Sequence, residues 1–258
     1  MNLRRAHIVL VDISGYTQFI RLHRMSLLHA ERIITDLLEC VIDASSQPLV
    51  LNKFEGDAAL FYAFADEGVG TTEERERTSA AAVLRQLQGF FEAFRSRERE
   101  LVSQCSICVC DACLKAGDLR LKVIAHTGTI IVKQMRQFEE IAGEDVILTH
   151  LLLKNSVQAD EYLLLTDSFH ALSGPPDATP MDTRLEDCRE AGQVTVHLHY
   201  PSGSRPPRAA HSLWRRLATT LRLESHMIRR LLGKPARTFR HLPQPPSLIG
   251  PPDQPPEP

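Results

Sequence analysis

No stretch of this 258-residue chain approaches the ~20 consecutive apolar residues that a membrane-spanning helix needs, so a helical crossing of a bilayer is excluded. The opening MNLRRAHIVLVD has a basic flank, but Asp12 halts its apolar run before the run could serve as a signal-peptide core. The expected compartment is therefore the cytoplasm. An excess of one charge is also missing: 30 Lys and Arg face 32 Asp and Glu, too even a balance for a protein that coats nucleic acid. There is no internal repeat. In a reducing compartment the six cysteines read as thiols or metal ligands, not as a disulfide framework.

The even balance conceals an asymmetry. Between Arg205 and Arg240 there are ten basic residues and one acidic residue, Glu224, so an acidic body carries a basic arm. Trp214, Leu217, Leu221, Ile228 and Leu231 form an apolar stripe in that arm, as expected of a basic amphipathic helix. Such a helix lies on an anionic surface, binds nucleic acid or a protein partner, or docks on its own body. The closing PQPPSLIGPPDQPPEP carries half of the 16 prolines and cannot bury a core. The expected organisation is a domain over 1–200, a basic helical extension over 201–242 and a Pro-rich disordered tail over 243–258.

Within the body, hydrophobic periodicity marks the elements. His7 to Val11 reads as a buried strand entering the turn Asp12-Ile-Ser-Gly15, and Leu27 to Val41 as an amphipathic helix. Leu49–Phe54 and Ala58–Phe64 form a hairpin hinged at Glu55-Gly56-Asp57, followed by a helix from about Glu74 to Val102. Leu119–His126 and Thr129–Lys133 read as a strand pair broken at Gly128. A helix over Glu144–Asn155 and strands at Tyr162–Leu165 and Val194–Tyr200 complete the pattern. This β-α-β-β-α-β order implies an α+β fold, a mainly antiparallel sheet with helices on one face.

Asp12 in VDISGYT and Asp57 in KFEGDAALFY stand where strand ends meet glycine turns. Such carboxylates either serve their turns or together hold Mg²⁺, a hard ion that favours oxygen ligands and substrate phosphates. Backbone N–H groups over Ile13–Thr17, including Ser14, Gly15 and Thr17, are placed to meet phosphate oxygens. These two motifs, followed by IAHTGTIIV and IAGEDVILTHLL, resemble the successive motifs of class III nucleotidyl cyclase catalytic domains over roughly residues 5–200. EGDAALFYAF, the cysteine cluster and HLLLKNSV are most similar to a cyclase-related bacterial group of undefined function.

The resemblance implies a ferredoxin-like domain that dimerises head to tail, with two composite sites at the interface. It assigns Asp12 and Asp57 to Mg²⁺ or Mn²⁺ and Lys53 to the N1 acceptor of adenine in ATP. Glu140, three residues before Gly143, falls where an acceptor for the exocyclic amine is expected, with Glu139 as the alternative register. The pattern also departs from the family. An Asn and an Arg that stabilise the transition state are replaced by Ile147 and Leu151, and a triphosphate-binding base on the last strand by Thr195. Each such loss typically costs ~10²–10³-fold in rate. Lys154 and His150 are the nearest substitutes. The expectation is a homodimer that binds Mg-ATP and makes little or no 3′,5′-cyclic AMP, the alternatives being an active adenylate cyclase or a non-enzymatic dimerisation module. A heterodimer with a complete cyclase chain would restore the missing groups.

Cys105-x-x-Cys108-x-Cys110-x-x-Cys113 has knuckle spacing suited to structural Zn²⁺, through all four thiolates or three plus an outside ligand; reduced or redox-reactive thiols are the alternative. Cys40 and Cys188 read as ordinary thiols. His126 reads either as a catalytic base or as a hydrogen-bonded core histidine.

Overall fold

The computed structural model describes residues 2–22, 27–104, 115–176, 181–188 and 191–201. The cysteine cluster at 105–113, the basic helix and the Pro-rich tail lie outside them. One eight-stranded sheet organises the rest, in the order β2-β3-β1-β4-β6-β8-β7, with β5 paired to β4. At its centre is β1 (Asn2–Ser14), antiparallel to β3 (Ala58–Phe64) and to β4 (Arg120–Met135). Among the described residues the single parallel pair joins β4 to β6 (Tyr162–Thr166). β8 (Gln193–His199) and β7 (Asp182–Asp187) extend the sheet, and β2 (Val50–Glu55) forms its other edge. Ala6 to Val11 are buried without a break, as expected of a strand covered on both faces.

Alternation sends His7, Val9 and Val11 to one face and Ala6, Ile8, Leu10 and Asp12 to the other. The first face carries α2 (Leu27–Asp43), α3 (Thr72–Gln104) and α5 (Asp167–Ser173); His7 meets the Phe169 ring edge-on at 5.4 Å. Helix α2 buries Ala30, Ile33, Ile34, Leu37, Leu38 and Val41, one stripe of a 3.6-residue period. Helix α3 starts on a reciprocal cap: the Glu74 N–H donates to Thr71 Oγ1 at 3.3 Å, and the Thr71 N–H to Glu74 Oε2 at 2.9 Å. Phe90, Phe91 and Phe94 are its buried payload. On the second face Ile8, Leu10, Leu60 and Ile124 pack with Val146 of α4 (Glu144–Leu151) and Leu152 of the following 3₁₀ turn, Leu152–Lys154. A short α1 (Tyr16–Leu22) follows the turn after β1. Among the described residues no helix is long and apolar enough to cross a membrane.

The expected break at Gly128 is not there. β4 runs straight through it, and β5 (Phe138–Ala142), β7 and α5 are elements that periodicity did not reveal. Gly128 serves a close approach instead of a turn: a Cβ there would lie 2.1 Å from Cγ of Asp145 in α4. β4 has left β6 after Ala125 and first meets β5 at Ile131, so its intervening N–H groups need other acceptors. The Thr127 N–H donates to Ser168 Oγ at 3.3 Å and the Thr129 N–H to Asp145 Oδ2 at 2.5 Å. Gly128→Ala is expected to cost about 3 kcal/mol in urea unfolding, the upper range for overpacking, because Asp145 must abandon these contacts. The penalty should shrink in the Gly128→Ala/Asp145→Ala double variant, since the two changes share one contact.

Candidate functional site

Asp12 lies two residues from the end of β1, opposite Ala58 on one neighbour and Lys122 on the other. Asp57 occupies the β2–β3 turn beside Gly56, whose φ of 69° suits glycine. The Ile13 N–H donates to the Asp57 carbonyl at 3.2 Å, so the main chain holds the two carboxylates close together. Electrostatics records their proximity. Burial, then the charge of Asp12, pushes the Asp57 carboxyl up to about 6, and Glu31 adds to the rise. Asp12 is also raised by burial, against the pull of Lys122.

Lys122 was not among the expected site residues. It acts on both aspartates, and its Nζ sits 5.7 Å from the centre of the Tyr162 ring. Only the register of β1 against β4 identifies it. Tyr16, the first residue of α1, donates its hydroxyl to Glu31 Oε1 at 3.1 Å beside the same carboxylates. Ser14 is buried, Gly15 has a φ of 92°, and the Phe19 N–H donates to the Gly15 carbonyl at 2.9 Å, opening α1, while Thr17 is exposed. The expected phosphate loop thus follows directly on Asp12.

No group of three or more His, Cys, Asp or Glu side chains among the described residues is arranged to hold a metal. Two crowded carboxylates of raised proton affinity nevertheless fit the part-share a protein contributes to Mg²⁺, whose other ligands are water and substrate phosphate.

A second cluster forms where β2, β5 and α4 meet. Lys53 Nζ stands 2.9 Å from Glu55 Oε1 and 4.0 Å from Glu140 Oε1. Glu140 also pairs with Lys133 at 3.2 Å, and Glu55 with His150 Nδ1 at 3.4 Å. The residues paired by resemblance, Lys53 and Glu140, are therefore brought together. Glu139 belongs elsewhere: it accepts from the Tyr62 hydroxyl, and its carbonyl accepts from Asn52 Nδ2 at 3.2 Å. A bulge between Leu51 and Lys53 makes this arrangement possible. Leu51 opposes Phe61, but Lys53 opposes Leu60, so the extra residue turns Lys53 onto the face that carries Asp12.

The vacant positions on α4 are plain. Ile147 is 57% exposed, and Leu151 packs against the apolar core, so neither offers a polar group. Thr195 lies on β8, opposite Leu185. His126 is a hydrogen-bonded core residue: Nε2 meets Asp145 Oδ1 at 2.9 Å, Nδ1 meets Thr166 Oγ1 at 2.9 Å, and burial lowers its pKa. Ser168 Oγ is 3.2 Å from the same Nδ1, yet it is placed to donate to the Thr127 carbonyl at 2.9 Å, which leaves no primed nucleophile. Burial raises the Cys40 thiol to about 11 and raises Cys188 as well, which disfavours the thiolate at both.

The crowding of Asp57 has a consequence for folding. Its folded pKa of about 6 lies above its ordinary value of 3.8, so the neutral form is favoured. That contribution is complete below pH 3.8 and is lost as pH rises through 6. Discounted for partial exposure, Asp57→Asn should therefore stabilise the metal-free chain by about 1 kcal/mol at pH 7.5. Chemical denaturation at pH 4 should show almost no gain.

Residues 34–162 match a family described as protein of unknown function (DUF2652). An uncharacterized protein of Mycobacterium tuberculosis, Rv2561/Rv2562, is 33% identical over 216 residues, covering 81% of this chain and 94% of that protein. Among solved structures, the adenylyl cyclase CyaB from P. aeruginosa superposes with a TM-score of 0.52 at 14% identity, over 81% of this chain and 98% of its own. The guanylyl cyclase Cya2 gives 0.51 at 12% identity, over 81% and 98%. A bacterial light-regulated adenylyl cyclase gives 0.55 at 12% identity, over 87% of this chain and 58% of its own. With the sequence relationship and the fold in agreement, the chain belongs to the DUF2652 family of proteins of unknown function, built on the class III nucleotidyl cyclase fold.

Proposed function

We propose that the protein binds a Mg-nucleoside triphosphate, ATP in the first instance, at a composite site between two copies of the chain, and that it makes cyclic AMP weakly or not at all. The observation that carries this reading is the placement of Asp12 and Asp57 side by side, with Lys53 on the sheet face that carries Asp12 and Glu140 within 4.0 Å of its ammonium. In this reading Asp12 and Asp57 hold one or two Mg²⁺ or Mn²⁺ ions. Bound there, such ions neutralise the triphosphate and acidify the ribose hydroxyl.

The chain's own groups supply the rest. Lys122 offsets the charge of the two carboxylates. Lys53 donates to adenine N1, and Glu140 accepts from the exocyclic amine. Turnover is held back by Ile147 and Leu151, because charge developing at the α-phosphate meets a methyl-bearing surface where donors are needed. A homodimer repeats the deficiency in both sites, whereas a complete cyclase chain as partner would mend it. The cysteine cluster is proposed to hold one structural Zn²⁺ per chain, and the protein to act in the cytoplasm.

Purified protein incubated with ATP and Mg²⁺ or Mn²⁺ should bind nucleotide in a metal-dependent way, and Asp57→Ala should abolish that binding. Cyclic AMP and pyrophosphate should form at least ~10²-fold more slowly than in a complete cyclase. Vigorous synthesis lost in Asp12→Ala would show that other residues fill the vacant roles. Light scattering of the 1–200 fragment should report a dimer at micromolar concentration, and elemental analysis about one zinc per chain if the knuckles are loaded.

A further inference from the structure

One of the two carboxylates beside Lys53, Glu55, has no use in adenine recognition. Lys53 and Glu55 are two residues apart on β2, opposite Leu60 and Ala58, so both project onto the site face. Glu55 lies closer to the ammonium than Glu140 does, at 2.9 Å against 4.0 Å. Each carboxylate has a second partner, His150 for Glu55 and Lys133 for Glu140. The result is one ammonium with a carboxylate anchored on either side. All three side chains remain more than a third exposed, within reach of a ligand.

The hydrogen-bonding edge of a purine runs through positions 6, 1 and 2. Adenine presents a donor at 6, an acceptor at 1 and a bare C–H at 2. With its amine on Glu140 and N1 on Lys53, it leaves Glu55 facing the C–H. Guanine presents an acceptor at 6 and donors at 1 and 2. In the adenine pose it would set O6 against Glu140 and N1–H against Lys53, two repulsive contacts. Moved along the edge by one position, it places O6 on Lys53 and directs both N1–H and the 2-amine to a single carboxylate, Glu55. Adenine thus uses Glu140 and Lys53, and guanine uses Lys53 and Glu55.

We propose that Glu55 is a specificity-determining residue that opens the base-reading end of this site to guanine as well as adenine. The inference rests on the nucleotide reading given above. Equilibrium binding of MgATP, MgGTP and MgITP to the full-length protein tests it, in the wild type and in Glu55→Leu and Glu55→Gln. Wild-type affinities for ATP and GTP should agree within about tenfold, with ITP weaker than GTP because it lacks the 2-amine. Glu55→Leu should cost GTP about tenfold or more, the scale for lost pairing at a half-exposed site, and leave ATP within about threefold. Glu55→Gln, which keeps one acceptor, should fall between.

A wild-type preference for ATP above about a hundredfold, or an ATP-to-GTP ratio that neither variant moves, would overturn the role of Glu55 and leave nucleotide binding intact. Failure of the wild type to bind either purine nucleotide would overturn both readings together.

Discussion

β1 is hydrogen-bonded on both edges over most of its length, to β3 through Ala6–Asp12 and to β4 through Asn2–Ser14, and that double pairing is the constraint on which the site depends. It fixes Asp12 against Lys122 on one side and Ala58 on the other, and it delivers Ile13 to the carbonyl of Asp57. Like charges do not assemble unaided. The backbone ladder holds Asp12 and Asp57 together against their repulsion; burial raises the proton affinity of both, and the charge of Asp12 adds to the rise at Asp57. A cation is the natural relief for such an arrangement, supplied in part by Lys122.

Much of this was legible in the residues, for physical reasons that can be stated. The strands at 7–11, 58–64 and 162–165 are near-continuous apolar runs, and α2 and α3 show clean helical stripes. Asp12 and Asp57 were found because glycine turns beside carboxylates are chemically conspicuous. Lys122 was overlooked because nothing local marks it; its importance comes from a partner 110 positions away in register. Gly128 was misread as a turn because a glycine between two apolar runs has the same local signature whether it bends the chain or admits a neighbour. β5 and β7 escaped notice because their sequences, FEEIA and DTRLED, carry too many charges to stand out as strands.

The helix that follows Gly143 shows how one short element divides its loyalties. Its first turn is committed to the sheet: Asp145 receives the Thr129 N–H and the His126 ring, contacts that replace a missing stretch of strand pairing. Its last turn is committed to the core through Leu151, next to His150, which reaches Glu55. Leu151 packs while Ile147 is exposed, and together they leave the charged contacts nearby to Lys53, Glu55, Glu140 and Lys133. α4 is thus apolar at both positions, Ile147 and Leu151, where the resemblance leads one to expect an Asn and an Arg.

The bulge at Asn52 separates two things that an ordinary strand keeps locked together, its length and the face on which each side chain emerges. Upstream of it Val50 stands opposite Tyr62 on the face that carries Asp12; downstream Lys53 and Glu55 emerge on that same face, opposite Leu60 and Ala58. The placement of both charged residues therefore hinges on a residue outside their cluster. Drawing Asn52 into the regular ladder would turn Lys53 and Glu55 to the opposite side of the sheet at once, dispersing the cluster while leaving every residue in it unaltered.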